Sequence, residues 1–300
     1  MTNPIIYGPH LFPYGPEPYI KADGLGISTE KAHENIIQTL VAAFSNKNPG
    51  TIQSQLSKRL GFDSNKPVIL SFMNWGDMQL VYLTVLSEKL RVATLINQPH
   101  MPLGRVKEEF DNLEQLVKID PRFVVKPLAY FALKEKGHEL YASEYVDNAR
   151  CVAVHNGHGV YDPLPYYHFD KFSPEVSSAV NSSMIALLVN YYDSEKRRGL
   201  AKTQISGNDF ILTRNFKKDN PNIVQPNMKI IAARGFVEAS MDEYVNMIEQ
   251  EFLLGTNRNG RDVVSGKIKV NHSSKHRMTP LEIERGIEMG LRLRKQHNRQ

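Results

Sequence analysis

The sequence contains one cysteine, one tryptophan and no long hydrophobic run. The lone Cys151 cannot form a disulfide within the chain, which excludes a disulfide-stapled secreted domain and favours a reducing compartment. The longest apolar runs, such as 184–189, fall far short of the roughly 20 residues that a membrane-spanning helix requires. The N-terminal residues also lack the basic and apolar regions of an export signal. We therefore predict a cytoplasmic protein without membrane association.

The sequence also lacks a strong charge of one sign. Its 300 residues include 37 lysines and arginines and 32 aspartates and glutamates, which gives a net charge of +5. Hydrophobic residues make up 41% and charged residues 23%, which is typical of a folded globular protein and excludes a highly charged disordered chain. The concentrated basic segment is the C-terminal run 292–299, which can complement a helix C-terminus or contact nucleic acid.

Residues 1–64 are predicted to form an arm followed by two helices that pack on the body of the protein. Five prolines interrupt residues 1–26 and forbid a helix there. Apolar residues then recur at helical spacing in two runs, and Gly61 follows the second run as a helix-ending glycine does. The two runs are Ile36, Ile37, Leu40, Val41 and Phe44, and Ile52, Leu56 and Leu60.

Residues 65–147 are predicted to form a small β-rich lobe. Its first three β-branched and aromatic runs are joined by connections too short for a parallel crossover, so we expect antiparallel strands at 68–72, 80–86 and 90–96. An amphipathic helix is predicted at 105–118. Two further strands are predicted at 123–125 and 139–146.

Residues 148–300 are predicted to form a mainly helical lobe that ends in a basic helix. Helical spacing is longest over 174–192, and we expect Gly199 to end that helix. A short strand pair is predicted at 210–212 and 228–231. Two capping boxes predict the starts of the last two helices, at 240–243 and 279–282.

The order of these elements resembles the protein-kinase-like fold, including its aminoglycoside-phosphotransferase relatives. A five-stranded lobe carries one helix after its third strand, and a helical lobe follows. The segments 121–130 and 140–147 are similar to the fourth and fifth strands and the hinge of that fold. The resemblance covers about residues 67–255 and implies an α+β protein with two lobes, a small antiparallel-sheet N-lobe and a mainly helical C-lobe.

The resemblance also implies which residues line the nucleotide cleft. Gly76 matches the middle glycine of the family's glycine-rich loop, and Leu95 stands at the position of its phosphate-binding lysine. Glu109 matches the helix glutamate that pairs with that lysine. Glu144 and Val146 fall at the hinge.

Residues that phosphoryl transfer requires are replaced in this sequence. Leu95 cannot hold the α- and β-phosphates as the family's lysine does. Asp209 matches the catalytic base, whereas Asn215 falls one place later than the family's metal-binding asparagine. Alanine, either Ala232 or Ala233, stands where the family has its principal magnesium ligand. The resemblance therefore implies a degenerate active site.

Three functional hypotheses follow. The first is a kinase-like scaffold, a pseudokinase, that binds a protein partner or a small-molecule ligand in the cleft between its lobes. The second is an atypical phosphotransferase that acts on a small molecule or protein and holds ATP and magnesium through replacement residues. Candidates for these replacements are Lys89, Lys107 and Lys126 for the lysine and Glu238 and Asp242 for the metal. The third is a basic nucleic-acid-associated binding protein.

A metal site is not predicted. His155, His158, His168 and Cys151 have the residue types of metal ligands. They lack the paired spacing of a zinc ribbon or of a zinc-binding helix. We therefore assign no metal ligands from the sequence.

Overall fold

The computed structural model describes residues 6–7, 28–45, 49–75, 79–147, 149–153, 159–161, 169–201, 209–213, 221–254 and 278–297. Within these ranges the chain is an α+β protein with helices and largely antiparallel sheets. It divides into two compact units. The first unit comprises Met1–Glu114, Val125–Val146 and Pro163–Pro165, and the second comprises Gln115–Val124, Asp147–Asp162 and Tyr166–Gln300.

The first unit is built on one sheet with the strand order β1-β2-β3-β4-β6-β5. Its elements are β1 (Ile6–Tyr7), α1 (Thr29–Ala43), α2 (Ile52–Leu60), β2 (Ile69–Trp75), β3 (Gln79–Val85), β4 (Arg91–Asn97), the first part of α3 (Arg105–Ile119), β5 (Pro127–Leu133) and β6 (His138–Glu144). β1 runs parallel to β2, and β2 to β6 pair antiparallel. The predicted antiparallel sheet with one helix after its third strand is thus confirmed for residues 67–147.

One strand of this sheet lies later in the chain than the sequence predicts. Residues 123–125 were expected to form a strand, but Pro121–Phe123 form a short 3-10 helix and the strand begins at Pro127. The Asp120 side chain accepts a hydrogen bond from the backbone N–H of Arg122 at 3.0 Å and so caps this turn. Proline at the first helical position favours the same turn over an extended chain.

Helices α1 and α2 cover one face of the sheet. Their buried apolar residues form a single core with alternate residues of the strands. In β3 every second residue is buried, as expected for a strand that presents one face to a core. Ile36 points into this core, whereas Ile37 is half-buried. Gly61 ends α2 with φ at 70°, a conformation that glycine adopts without steric cost.

The free edge of the sheet at β5 is bound by side chains of α2. The Gln55 side chain donates to the carbonyl of Tyr130 at 2.7 Å and accepts from its N–H at 3.3 Å. Arg59 donates to the carbonyl of Leu128 at 3.0 Å. These bonds satisfy backbone groups that an edge strand otherwise offers to another chain.

Tyr82 of β3 is expected to be replaceable by phenylalanine without loss of stability. Its side chain is fully buried against Phe72, and no described residue hydrogen-bonds its hydroxyl. Removing an unsatisfied buried hydroxyl should leave the free energy of unfolding unchanged or raise it by about 1 kcal/mol. The matched control is Tyr141→Phe, which removes a hydroxyl that donates to the Glu109 carboxylate at 2.9 Å and should cost about 2 kcal/mol. Urea denaturation of both variants measures the difference, and equal losses would contradict the prediction.

The second unit contains two small antiparallel sheets and the longest helices of the chain. Its elements are β7 (Arg150–Ala153), β8 (Gly159–Tyr161), β9 (Phe169–Lys171), α4 (Pro174–Asn190), β10 (Arg198–Leu200), β11 (Phe210–Leu212), α5 (Val224–Asn227), β12 (Met228–Ile230), β13 (Phe236–Glu238), α6 (Met241–Leu254) and α7 (Pro280–His297). One sheet has the order β12-β11-β7-β8-β9, and the other pairs β10 with β13. The predicted pair β11 and β12 is confirmed.

Three strands of this unit were missed, and one expectation is wrong. The lobe after residue 147 was expected to be mainly helical, and its longest elements are helices, but β7, β8 and β9 are also present, and each has only three or four residues. Such strands are too short to show an alternating pattern. Gly199 does not end α4, whose C-cap is Tyr191, and lies instead in β10. A Cβ at Gly199 would collide with the ring of Tyr244, which explains the glycine.

Helices α4 and α7 pack closely and run in the same direction. Ser182 donates to the carbonyl of Glu282, and Arg294 donates to carbonyls at the end of α4. Between these contacts, Gly286 and Gly290 face α4 so closely that an added Cβ would lie 2.7 Å from the backbone oxygens of Ser182 and Ala186. Arg294 of the basic C-terminal run therefore complements a helix end, and that end belongs to α4.

The two predicted capping boxes are both present. Ser240 and Glu243 exchange hydrogen bonds at 2.7 and 3.3 Å at the start of α6. Thr279 and Glu282 do the same at the start of α7.

In the described part of the chain, no helix has the length and apolar character needed to cross a membrane.

Candidate functional site

Glu109 is a buried carboxylate on the face of α3 that contacts the sheet. It is 2% exposed. Its two oxygens accept hydrogen bonds from the Gln79 amide and from the Tyr141 hydroxyl, each at 2.9 Å. Phe110, the next residue of α3, packs on the ring of Tyr141 with 6.1 Å between centroids. The sheet thus holds this carboxylate through two neutral donors from different strands.

Leu95 lies beside the residues that hold Glu109. It occupies β4, where it pairs with Val81 of β3 and Tyr141 of β6. The side chain at the predicted lysine position is therefore a half-buried leucine, directly across the ladder from the tyrosine that donates to Glu109. An aliphatic side chain supplies neither charge nor hydrogen bonds to a phosphate.

The remaining predicted residues of the first unit lie at the end of β6 or outside the described residues. Glu144 pairs with Val92 on the ladder, and its backbone N–H donates to the carbonyl of Lys126 at 2.8 Å. Val146 follows two residues later and is half-buried. Gly76 lies outside the described residues, so the glycine-loop prediction stays a prediction.

Asp209 is buried directly before β11 and forms an ion pair. Its side chain is 2% exposed, and its Oδ1 accepts a hydrogen bond from Nη2 of Arg234 at 2.5 Å. The backbone carbonyl of Asp209 also accepts from the N–H of Ile231 at 2.9 Å, which ties the segment before β11 to the segment after β12. Asn215, the other predicted catalytic residue, lies outside the described residues.

Sequence reasoning missed Arg234 as the partner of Asp209. Arg234 directly follows Ala232 and Ala233, at the segment where the resemblance implies a magnesium ligand. Both alanines are buried, whereas the Arg234 side chain is 26% exposed. A cation next to an apolar run was the available signal, because buried charges in such surroundings need a partner of opposite charge.

Among the replacement residues suggested for a rearranged active site, Lys107 has a local partner in the structure, and Lys126 and Asp242 are exposed. Lys107 donates to both oxygens of Asp111, at 2.5 and 2.6 Å, and lies 5.5 Å from the ring centroid of Tyr130. Lys89 is exposed in the turn between β3 and β4. Glu238, at the end of β13, is also exposed.

A second buried carboxylate, Asp120, holds together the segment after α3 and the end of α4. It accepts two side-chain hydrogen bonds from Arg122, at 2.8 and 2.9 Å, and one from Asn190 at 3.1 Å. The hydroxyl of Tyr191 donates to its backbone carbonyl at 2.6 Å. Burial alone would raise the pKa of Asp120, but the hydrogen bonds from Arg122 and Asn190 outweigh it and hold the pKa below its ordinary value. The polar groups of this cluster hydrogen-bond to one another, so the cluster stabilises the second unit.

The described residues offer no set of metal ligands. No group of three or more His, Cys, Asp or Glu side chains within the described ranges is arranged to hold a metal ion. His155, His158 and His168 lie outside those ranges.

Neither a protein-family model nor a curated protein matches the chain.

Proposed function

We propose that this chain is a kinase-like protein with a degenerate active site, which binds a protein partner or a small-molecule ligand and does not transfer phosphate. The ion pair between Asp209 and Arg234 carries the proposal. A catalytic base must hydrogen-bond the hydroxyl whose proton it accepts. Asp209 is 2% exposed and one of its oxygens is already bound by a guanidinium, so little of the carboxylate is left for a substrate.

The first unit supports the same proposal. One helix, α3, follows the third antiparallel strand, as the resemblance implies. Its Glu109 is bound by Gln79 and Tyr141, and Leu95 stands at the position that the resemblance assigns to the lysine. Phosphoryl transfer depends on cations that stabilise the charge of the phosphates, so loss of the lysine removes a main contribution to ATP binding and catalysis.

The retained acidic side chains favour the second candidate, an atypical phosphotransferase. Glu109 and Asp209 both keep a carboxylate at the positions that the resemblance assigns to the helix glutamate and the base. For this candidate to hold, another cation would have to bind the phosphates and other carboxylates would have to bind magnesium. The two candidates differ in their dependence on ATP and magnesium.

Calorimetric titration with ATP separates them. We expect no magnesium-dependent heat of binding, because a triphosphate would meet neither the lysine nor the metal carboxylate. Titration with adenosine is the matched control, since it carries the base and sugar without the charge. Adenosine binding without tighter binding of magnesium-ATP would support a degenerate nucleotide pocket. Micromolar magnesium-dependent ATP binding would contradict the proposal and favour the phosphotransferase.

A further inference from the structure

The start of α3 is held by a carboxylate of the sheet. Glu139 of β6 is 4% exposed. One of its oxygens accepts the backbone N–H of Gly104, the residue before α3, and the other accepts the hydroxyl of Tyr130, each at 2.8 Å. The φ of Gly104 is 96°, which residues with a Cβ rarely adopt. A carboxylate at the N-terminus of a helix is stabilised by the helix dipole, so Glu139 anchors the first turn of α3.

The Asn97 side chain connects this carboxylate to His138. Its Nδ2 donates to the carbonyls of Gln98 and Gly137, each at 3.2 Å, which leaves Oδ1 as the acceptor. Oδ1 accepts the backbone N–H of Glu139 at 2.7 Å and the N–H at Nδ1 of His138 at 3.3 Å. One amide therefore ties the end of β4 to the first two residues of β6.

The imidazole of His138 is neutral in this arrangement. The residue is 2% exposed, and burial lowers its pKa to about 4, although a hydrogen bond with the backbone of Asn97 favours the charged form. In an opened segment the pKa of histidine returns to about 6.5. Between these two values the opened state binds more protons than the closed state. The closed state is therefore favoured fully above about pH 6.5 and loses stability as the pH falls.

From these contacts we propose that Glu139, Asn97 and His138 form a pH-sensitive anchor, which binds the start of α3 at neutral pH and releases it in mild acid. Burying a charge without a partner is costly, so an imidazolium favours a state in which the ring reaches water. The ring reaches water when the first residues of β6 separate from Asn97. Glu139 is the next residue along the strand, so its bond to Gly104 breaks in the same movement.

The second attachment of α3 to the sheet lies outside this movement. Glu109, one turn further along the helix, is bound by Gln79 and Tyr141. Neither donor titrates between pH 5 and 7, because one is an amide and the other a tyrosine hydroxyl. We therefore expect the opening to include the first turn of α3 and the start of β6, with the middle of α3 still bound.

No charged side chain of the neighbouring elements hydrogen-bonds or pairs with His138 in the described part of the chain. Lys31 pairs with Glu34 at 2.7 Å, and Arg105 pairs with Glu108 at 2.8 Å. The charged and titratable groups of these elements are Lys31, His33 and Glu34 on α1, Tyr130 on β5, Lys134, Glu135 and Lys136 in the turn before β6, and Arg105, Lys107 and Glu108 on α3. Burial also lowers the pKa of His33, so this histidine is the one to control for.

Hydrogen–deuterium exchange of the full chain tests the anchor. We expect the protection factors of Gly104 and the first turn of α3 to be about 20-fold lower at pH 5 than at pH 7, as the two pKa values of about 4 and about 6.5 require. At pH 5 they should also be at least about 10-fold lower than those of β3, because a local opening costs less than unfolding of the whole unit. Equal protection in α3 and β3 would show that the unit opens as a whole and would overturn the proposal.

Three variants assign this response to its residues. His138→Gln cannot be protonated, so we expect the pH response to fall to within about twofold. His33→Gln, the control, removes a half-buried histidine of the same unit and should keep the full response. Glu139→Gln removes the charge at the start of α3 and should lower its protection about 5-fold at both pH values.

A response that survives His138→Gln, or one that is lost in His33→Gln, would place the sensor elsewhere and overturn the proposal. Unchanged protection in Glu139→Gln would overturn the role of Glu139 as the anchor. The anchor lies in the first unit, whereas Asp209 and Arg234 lie in the second. This proposal and the proposed function can therefore fail separately.

Discussion

Replacing both Gly286 and Gly290 with alanine is expected to destabilise the protein by about 3 kcal/mol. In an isolated helix each of these changes would stabilise the helix by about 1 kcal/mol, because alanine is a better helix former than glycine. Here each new Cβ would lie 2.7 Å from a backbone oxygen of α4 and 2.6 to 2.7 Å from the Cβ of Ile185 or Val189. Backbone cannot move aside cheaply, so overpacking outweighs helix propensity. Urea denaturation measures the free energy of unfolding.

Gly50→Ala is the control for this prediction. A Cβ at Gly50 meets nothing within 4 Å, and the residue has no positive φ. We expect its free energy of unfolding to stay within about 0.5 kcal/mol of the wild-type value. A Gly286 and Gly290 double variant as stable as the wild type would show that α4 and α7 do not pack at this distance.

Arg234→Met is expected to cost about 3 to 5 kcal/mol of stability. It leaves the Asp209 carboxylate buried without its guanidinium partner, which is the damaging way to break a buried ion pair. Asp209→Asn should cost only about 1 kcal/mol, because Arg234 is 26% exposed and can still reach water. The two losses should therefore differ in size although they remove the same bond.

The double variant Asp209→Asn with Arg234→Met completes the cycle. With both charges removed, we expect the free energy of unfolding to recover by about 2 kcal/mol relative to Arg234→Met alone. Losses that simply add would indicate that the two side chains act independently, against the 2.5 Å contact in the structure.

The regular elements of the first unit could be predicted because their patterns are long. β2, β3 and β4 have seven residues each, and α3 has fifteen, enough for a period of two or 3.6 to be read from the sequence. In contrast, the segment 123–125 has the composition of a strand, but Phe123 belongs to a capped turn and only Val124 pairs, in a single bridge to Ile230. The bridge depends on a partner about 100 residues away, which the local pattern does not reveal.

Two of the residues selected from the sequence can be compared with the structure, and their contacts could not be predicted. Asp209 and Glu109 were selected from the sequence, and both are buried carboxylates. Their partners come from elsewhere in the chain, 25 residues away for Arg234 and 32 for Tyr141. Such pairs depend on the register of strands and turns, which one sequence does not specify.

Phosphoryl transfer itself tests the central claim most directly. The measurement is release of phosphate from ATP by the wild type and by Asp209→Asn, with magnesium present and with a mixture of small-molecule and protein acceptors. We expect both proteins to show the same rate as buffer alone, because the carboxylate that would accept the substrate proton is bound to Arg234. Magnesium-dependent turnover by the wild type that is lost in Asp209→Asn would contradict the account and identify an active phosphotransferase.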